Sequence, residues 1–304
     1  MVPGIHVFGA AKQGVDGRDK PGHDGVISAG GDKGSTMIRI LLAPLLALLS
    51  FTPQAHAAKC GGDFDAFLAS MGREAQGQGV SRAVIDQSFA GLTIDQAVLA
   101  FDRRQRGTFR KSFEEYVATR VGASRIKRGQ QTLAKHAGIL GRVEKQYGVP
   151  KELIVAIWGL ESDFGTGDMG KLPVVRTIAT MAHDCRRTEL FQGELLAALK
   201  ILQRGDLTRE TMIGAFAGEL GQTQFLPSSY IKYGVDYDGN GHIDLRRSVP
   251  DVLASTANLL KTAGWRTGAP FGEGTENFQV MREWNRSEVY RKTMHYFAQQ
   301  LGAR

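Results

Sequence analysis

The residue of this sequence best placed to do chemistry is Glu161, which ends an apolar segment just before a glycine-rich turn. The apolar residues before it recur at spacings of three and four, the period of a buried helical stripe: Leu153, Ile154, Ile157 and Trp158. Glu161 continues this stripe, so its side chain should point in the apolar direction. A carboxyl group there loses hydration when charged, which favours the protonated form that a general acid needs. The alternative is structural, with Glu161 pairing with an arginine or capping a turn.

The elements on either side of Glu161 can be read from single residues. Pro150 suits the first position of the helix, because its fixed φ is helical and its missing N–H would have no partner there. Glycines at 165, 167 and 170 then end the helix and allow other backbone to approach closely.

A second unusual segment spans residues 215–230, where two glycines and two glutamines lie among small and aromatic side chains. This composition makes a poor ordinary core. It suits a groove wall that approaches a polar, ring-shaped ligand and hydrogen-bonds it through side-chain amides. Phe216 and Gln224 are therefore candidate substrate-binding residues.

An acidic loop follows and resembles a calcium loop, with oxygen ligands at alternate positions and a glycine at the sharp turn. The candidate ligands are Asp236, Asp238, Asn240, His242, Asp244 and Asp251. The twelfth position, usually a bidentate Glu, is Arg247, so the loop cannot close in the usual way. Asp251 supplies the missing carboxylate in one interpretation and completes a capping box with Ser248 in the other. An acidic turn without metal is the structural alternative.

The front of the chain indicates export. Residues 1–36 are predicted to be a spurious or disordered upstream extension, and 37–57 read as a signal peptide with a basic start, a short apolar run and a small-x-small cleavage site. Cys60 follows a lysine, which argues against a lipoprotein, and the run is too short for a transmembrane helix. We expect a soluble periplasmic protein after cleavage. Its two cysteines, Cys60 and Cys185, are then predicted to form a disulfide, with two free thiols as the alternative.

The mature part, residues 58–304, reads as mainly α-helical, with no convincing strand before residue 170. The net charge of +7 favours an anionic partner, namely nucleic acid, a membrane surface or the carboxylate-bearing peptides of a cell wall. Export makes nucleic acid a poor candidate.

Taken together, the motifs resemble those of B-type lytic murein transglycosylases over nearly the whole mature chain. They are Gly148-Val149-Pro150, Trp158-Gly159-Leu160-Glu161-Ser162, Ala217-Gly218, the run from Gly221 to Ser229 and Asp236-Tyr237-Asp238-Gly239-Asn240-Gly241. The resemblance implies a lysozyme-like catalytic core at about 146–304, a helical N-terminal subdomain at about 60–145 and a small EF-hand-like loop. It also implies cleavage of the β-1,4 bond between N-acetylmuramic acid and N-acetylglucosamine with formation of a 1,6-anhydro ring.

Carried over residue by residue, the resemblance makes Glu161 the single acid and base. It places Tyr116, Gln224, Asn285 and Tyr290 in the sugar groove and makes the acidic-loop residues candidate calcium ligands. Trp284 is a further candidate for the groove, although aromatic residues at helical spacing are usually core. No cofactor is expected for the chemistry, and calcium would be structural. Glycan strands are the expected partner, wall-synthesis proteins are further candidates, and the chain is expected to be a monomer.

Two other functions remain open at this point. Glu219 is a second acid near the proposed site, so a hydrolytic muramidase would use Glu161 with Glu219 or Asp163. Asp163 lies two positions from Glu161 and so on another side of the helix, which makes it a poor partner across the roughly 5 to 9 Å of a carboxylate pair. A non-catalytic cell-wall-binding protein is the third possibility.

Overall fold

The computed structural model of the chain describes residues 58–104 and 111–302. The predicted upstream extension, 1–36, and the predicted signal peptide, 37–57, lie outside the described residues. All of the described residues belong to one structural unit. The proposed division into a helical subdomain and a catalytic core stays a prediction.

Helices are the main elements of the described chain, which confirms the mainly α expectation. Its elements are α1 (Phe64–Gly77), α2 (Arg82–Phe89), α3 (Gln96–Arg104), α4 (Phe113–Arg120), α5 (Ala123–Lys135), α6 (Ala137–Tyr147), α7 (Lys151–Ser162), β1 (Leu172–Pro173), α8 (Val174–His183), α9 (Thr188–Arg204), β2 (Ile213–Gly214), α10 (Pro227–Tyr233), α11 (Val249–Thr262), α12 (Glu276–Val280) and α13 (Glu288–Gln300).

Several helices begin at a side-chain cap, which satisfies backbone N–H groups that have no partner in the first turn. Ser112 and Glu115 form a complete capping box at α4. The Ser287 hydroxyl accepts a hydrogen bond from the N–H of Tyr290 at the start of α13. Pro150 lies one residue earlier than predicted: its ψ of 132° is extended, so it precedes α7 rather than forming its first turn.

Helix α7 carries Glu161 and runs through the interior. Every residue from Leu153 to Ser162 is buried, so the predicted apolar stripe is in fact a helix covered on all sides. Helices α13, α5, α6 and α11 pack around it. Gly159 permits a close approach of α13, because a Cβ there would lie 2.9 Å from the Phe297 ring.

The only strands among the described residues are β1 and β2, a short antiparallel pair. Leu220 forms isolated bridges with both Gly214 and Phe225, which folds the glycine- and glutamine-rich segment back onto the strand pair. This segment therefore lies beside the loop that follows α7.

The N-terminal helices are fastened to the rest of the unit by the disulfide between Cys60 and Cys185, as the sequence predicts. Next to it, the Asp102 carboxylate at the end of α3 forms ion pairs with Arg186 and Arg187. Within residues 58–104 and 111–302, no helix is both long and apolar enough to span a membrane.

Candidate active site

The carboxyl group of Glu161 is fully buried and is held through one oxygen. Oε1 accepts hydrogen bonds from the Tyr290 hydroxyl at 2.6 Å and from the Trp284 indole Nε1 at 3.0 Å. Oε2 has no hydrogen-bond partner among the described residues. Because a buried polar atom without a partner is costly, this oxygen is the natural contact for a substrate.

Local structure positions both donors. The Ser287 cap sets the first turn of α13 and with it the direction of Tyr290. Trp284 follows α12, and its ring packs edge-on against Phe225 at 5.5 Å between centroids. The burial of the phenol, followed by the charge of Glu161, raises the pKa of Tyr290 well above its ordinary value. Tyr290 therefore keeps its proton at neutral pH and remains a donor.

Tyr116 extends this aromatic cluster outwards from α4. Its ring centroid lies 6.2 Å from that of Tyr290, and the Arg120 guanidinium lies 5.9 Å from the Tyr116 ring. Burial raises the pKa of Tyr116, Arg120 opposes this, and the charge of Glu161 adds to it. Arg120 also donates to the carbonyl of Leu160 at 3.0 Å, so α4 is bonded to the end of α7.

Asp163, considered above as a second carboxylate, serves a different purpose. Its side chain accepts hydrogen bonds from Arg125 Nε at 3.0 Å and from Arg128 at 2.7 and 2.9 Å. Burial pulls the pKa of Asp163 upwards, but the hydrogen bonds and charges of Arg128 and Arg125 outweigh it, so the pKa lies below its ordinary value. Asp163 is thus a charged anchor between α7 and α5, and its geometry does not support a role beside Glu161.

Glu219 is also engaged elsewhere. Its side chain is buried, and its Oε2 accepts a hydrogen bond from the N–H of Ala217 at 2.9 Å. The carboxylate therefore holds the turn that it belongs to.

The remaining groove candidates differ in position. Asn285 follows Trp284 directly, and its buried Nδ2 has no partner among the described residues, while its Oδ1 accepts from Ser287 N at 2.9 Å. The amide of Gln224 turns back to the carbonyl of Gly221 at 2.8 Å. The ring of Phe216 packs against that of Phe101, with 4.7 Å between centroids. The substrate-binding roles of these residues stay predictions.

Gln222 links α7 to the acidic loop, and sequence analysis did not single it out. Its Oε1 accepts from the Trp158 indole at 2.8 Å, and its Nε2 donates to the carbonyl of Arg246 at 2.9 Å. The approach requires Gly165, where an added Cβ would lie 2.1 Å from the Gln222 side chain. The sequence signal was present in the pairing of a glycine turn with a glutamine-rich loop, but it did not distinguish Gln222 from Gln224.

The acidic loop brings three of its candidate ligands together: carboxylate oxygens of Asp236, Asp238 and Asp251 lie within 4.8 Å of one another. Asp251 points into the loop, where it accepts from the N–H groups of Tyr237 and Asp244, while Ser248 caps α11. The Asp251 side chain therefore bonds to the loop instead of completing a capping box with Ser248, and its role as a calcium ligand stays a prediction. Three carboxylates in this arrangement fit Ca²⁺, which prefers hard oxygen ligands.

Asp244 and His242 are not in this carboxylate cluster. Asp244 accepts from the N–H groups of Arg246 and Arg247, both at 2.9 Å, and so shapes the exit of the loop. Asn240 accepts from the N–H of His242, whose side chain is exposed.

Comparison with known proteins places the chain in a family. The model of the transglycosylase SLT domain matches residues 63–274, and the chain belongs to this family.

Individual relatives agree with this assignment. The chain is 42% identical over 130 residues to membrane-bound lytic murein transglycosylase B of Escherichia coli (strain K12), an alignment that takes in 42% of this chain but only 36% of that protein. The crystal structure of SltB3 from Pseudomonas aeruginosa in complex with NAG-anhNAM-pentapeptide is 32% identical, with a TM-score of 0.72 over 78% of this chain and 79% of that one. The structure of the Escherichia coli lytic transglycosylase Slt35 in complex with calcium is 25% identical, with a TM-score of 0.68 over 82% of this chain and 97% of that one. The lysozyme-like core that the sequence predicts is confirmed by these matches.

Proposed function

We propose that this chain is a lytic transglycosylase of murein. It cleaves the β-1,4 bond between N-acetylmuramic acid and N-acetylglucosamine without water and leaves 1,6-anhydromuramyl ends. The observation that carries the proposal is the state of Glu161: one carboxyl oxygen is fixed by Tyr290 and Trp284, and the other is buried and without a partner. Membership of the transglycosylase family supports the same conclusion.

A single carboxyl group is sufficient for this reaction. With its proton on Oε2, Glu161 protonates the glycosidic oxygen while the bond from that oxygen to the anomeric carbon breaks. The 6-hydroxyl of the muramyl sugar then forms a bond to the anomeric carbon and returns its proton to the Glu161 carboxylate. The acid is regenerated and no atom of water is consumed. Tyr290 and Trp284 hold the carboxyl group in one orientation through both steps and stabilise its charged form between them.

The positive charge that develops on the sugar has to be stabilised without a second protein carboxylate. In a retaining hydrolase a second carboxylate takes this role about 5 Å away. Asp163 is bound by two arginines and Glu219 by its own turn, so the described geometry favours stabilisation by the N-acetyl group of the substrate.

We also propose that the protein works outside the cytoplasm, in the periplasm, after removal of residues 1–57. The disulfide between Cys60 and Cys185 supports this location, since such bonds persist in oxidising compartments. If the acidic loop takes Ca²⁺, Asp236, Asp238 and Asp251 would hold it, and the ion would supply structural cross-linking rather than any chemical step.

Digestion of murein sacculi, followed by mass spectrometry of the products, tests the proposal. Anhydro ends are expected from the mature chain. Reducing ends would indicate a muramidase instead, and intact sacculi a non-catalytic wall-binding protein. Glu161→Gln should lower the rate by at least about 10³-fold while sacculus binding stays intact, because it removes the proton at almost constant volume.

Glu152→Gln is the matched control, because Glu152 lies on the same helix and pairs with Lys151 at its start. It should cleave at nearly the wild-type rate. Comparable activity of the Glu161→Gln and Glu152→Gln variants would refute the assignment of the acid.

A further inference from the structure

Helices α5 and α6 bury one continuous stripe of residues, although His136 separates them. The backbone continues across this residue, because His136 N donates to Thr132 O at 3.0 Å and Leu140 N donates to His136 O at 2.9 Å. Since the inward residues keep the period of one helical side, the two helices also share an outward side. The inward residues, which alternate between spacings of three and four, are Ile126, Gly129, Leu133, His136, Leu140, Val143 and Tyr147.

The inward side of these two helices faces α7, the helix that carries Glu161. A Cβ added at Gly129 of α5 would lie 3.4 Å from the ring of Phe164, which follows α7. The His136 ring lies 5.7 Å from that of Trp158 between centroids, and α6 also packs on α7. The outward side therefore points away from α7 and forms no wall of the site around Glu161.

The outward side carries four exposed cations, which we call the basic face: Lys127 and Lys135 on α5, and Arg142 and Lys145 on α6. None of the four has an ion-pair partner within residues 58–104 and 111–302. The two helices contain a single acid, Glu144, and it pairs at 3.3 Å with the first lysine of α7. The basic face is therefore an exposed positive surface that no acid of its own helices neutralises.

The shape and chemistry of the basic face fit a flat anionic surface. From Lys127 to Lys145 the two helices rise by up to about 27 Å, at about 1.5 Å per residue. The exposed side chains between the cations are small or uncharged, and none is aromatic or a large aliphatic group that would insert into a bilayer. These residues are Gln130, Gln131, Ala134, Ala137, Gly138 and Gly141.

We propose that the basic face binds the anionic headgroups of a phospholipid bilayer. A planar array of phosphates can contact all four cations at the same time, which gives charge complementarity over the whole face. The carboxylates of murein peptides fit less well, because a glycan strand has to reach Glu161 on the other side of α5 and α6. The inference goes beyond the proposed function, since it concerns the surface on which the protein lies and not the bond that it cleaves.

Co-sedimentation with vesicles tests this proposal on residues 58–304, which contain the whole described unit. The protein should bind vesicles of phosphatidylcholine with about 30% phosphatidylglycerol and should not bind vesicles of phosphatidylcholine alone. Lys127→Gln/Lys135→Gln and Arg142→Gln/Lys145→Gln should each lower the partition coefficient about 25-fold, because one cation near an anionic surface strengthens binding about fivefold. Salt at about 1 M should abolish binding, since it shortens the Debye length to about 3 Å.

Lys59→Gln/Arg73→Gln is the matched control, because it removes the same net charge from exposed positions at and just before α1. Its partition coefficient should stay within about twofold of the wild type, since distant charges are screened. Equal losses in the control and in the two face variants would reduce the attraction to net charge and overturn the proposal, as would a wild type that ignores phosphatidylglycerol.

Binding to murein sacculi is measured in parallel with the same variants. If the face variants weaken binding to sacculi and leave binding to vesicles unchanged, the basic face serves the wall polymer and the proposal is wrong. Melting curves establish that each variant is folded, and the two face variants are judged separately, so that one decides the question if the other does not fold.

Discussion

At the scale of single residues, the site depends on how one carboxyl group is fixed while remaining able to transfer a proton. Tyr290 and Trp284 both donate to Oε1 of Glu161, and Oε2 accepts no hydrogen bond from the described residues. A carboxyl group held at both oxygens would be well ordered but poorly able to reach a glycosidic oxygen. The asymmetry is therefore what the proposed acid and base role requires.

The charged side chain of Asp163 stabilises the end of α7 and has no proposed part in the reaction. It has a left-handed backbone conformation, with φ of 51°, at the end of α7, and its side chain is 27% exposed. The Arg125 and Arg128 contacts hold the end of α7 against α5, two residues after Glu161.

The pH dependence of stability should report this anchor. The folded pKa of Asp163 lies below its ordinary value of 3.8, so its contribution is fully present above that value and is lost as pH falls through the folded pKa. Asp163→Asn should lower the free energy of unfolding by about 1 to 2 kcal/mol at pH 7, since asparagine tolerates the left-handed conformation and only the charge is lost. Denaturant unfolding from pH 7 to pH 2 should show that the wild type and the variant differ less in their free energy of unfolding below about pH 4.

Asp86→Asn is the control for this experiment, because Asp86 pairs with Arg82 on an exposed helix face, with the two side chains 64% and 80% exposed. The Asp86→Asn substitution should lower the free energy of unfolding by no more than about 0.5 kcal/mol at any pH. If the loss of unfolding free energy caused by Asp163→Asn does not depend on pH, the charge of Asp163 does not stabilise the protein through its arginine contacts.

At the scale of elements, sequence analysis predicted the features that depend only on residues close together in the chain. The period of α7, the position of Glu161 on it and the glycine turn after it follow from neighbours within a few residues. The burial of α7 on every side did not, because it depends on α13 and α5 packing from distant parts of the chain. The partners of Glu161 are 123 and 129 residues away, and no local pattern predicted these contacts: the family resemblance suggested Tyr290 for the groove, and Trp284 was named only as a further candidate.

The acidic loop likewise combines features that the local sequence predicts with contacts that it does not. Its spacing predicted six candidate ligands, and the carboxylates of Asp236, Asp238 and Asp251 are the ones that form a cluster of acidic groups. The exit of the loop then bonds to Gln222, which also bonds to Trp158 on α7. One side chain therefore links the loop to α7 by hydrogen bonds, and no local sequence pattern singles it out.

Calcium should raise the thermal stability of the protein if this loop binds it. A ligand that binds only the folded state at about 100 times its dissociation constant contributes about 2.7 kcal/mol, so chelation should lower the melting temperature by several degrees. Asp238→Asn should abolish the response, because it removes a carboxylate of the cluster. His242→Gln should retain it, because that side chain is exposed and outside the cluster. Identical melting curves of the wild type in chelator and in calcium would exclude the site.

At the scale of the whole molecule, the fold depends on contacts that join the first described helices to the segment after α8. The disulfide joins residues separated by 125 positions. The same segment is held by other contacts: Gly61 N donates to His183 O at 2.9 Å, and Asp102 pairs with Arg186 and Arg187. The disulfide, the backbone hydrogen bond and the ion pairs therefore all hold the first described helices against this segment.

The disulfide should consequently stabilise the protein mainly by restricting the unfolded chain. A loop of this length corresponds to about 5 kcal/mol in the chain-entropy estimate, and measured values are usually about 2 to 4. Cys60→Ser/Cys185→Ser should lower the free energy of urea unfolding by an amount in this range, while murein cleavage at 25 °C stays near the wild-type rate, because the neighbouring ion pairs and backbone contact keep the segment in place. Reductant should shift the unfolding midpoint of the wild type to that of the double variant and leave the double variant unchanged. A loss of cleavage at a temperature where the double variant is still folded would mean instead that the bond shapes the native site, and an unchanged midpoint on reduction would mean that it contributes no stability.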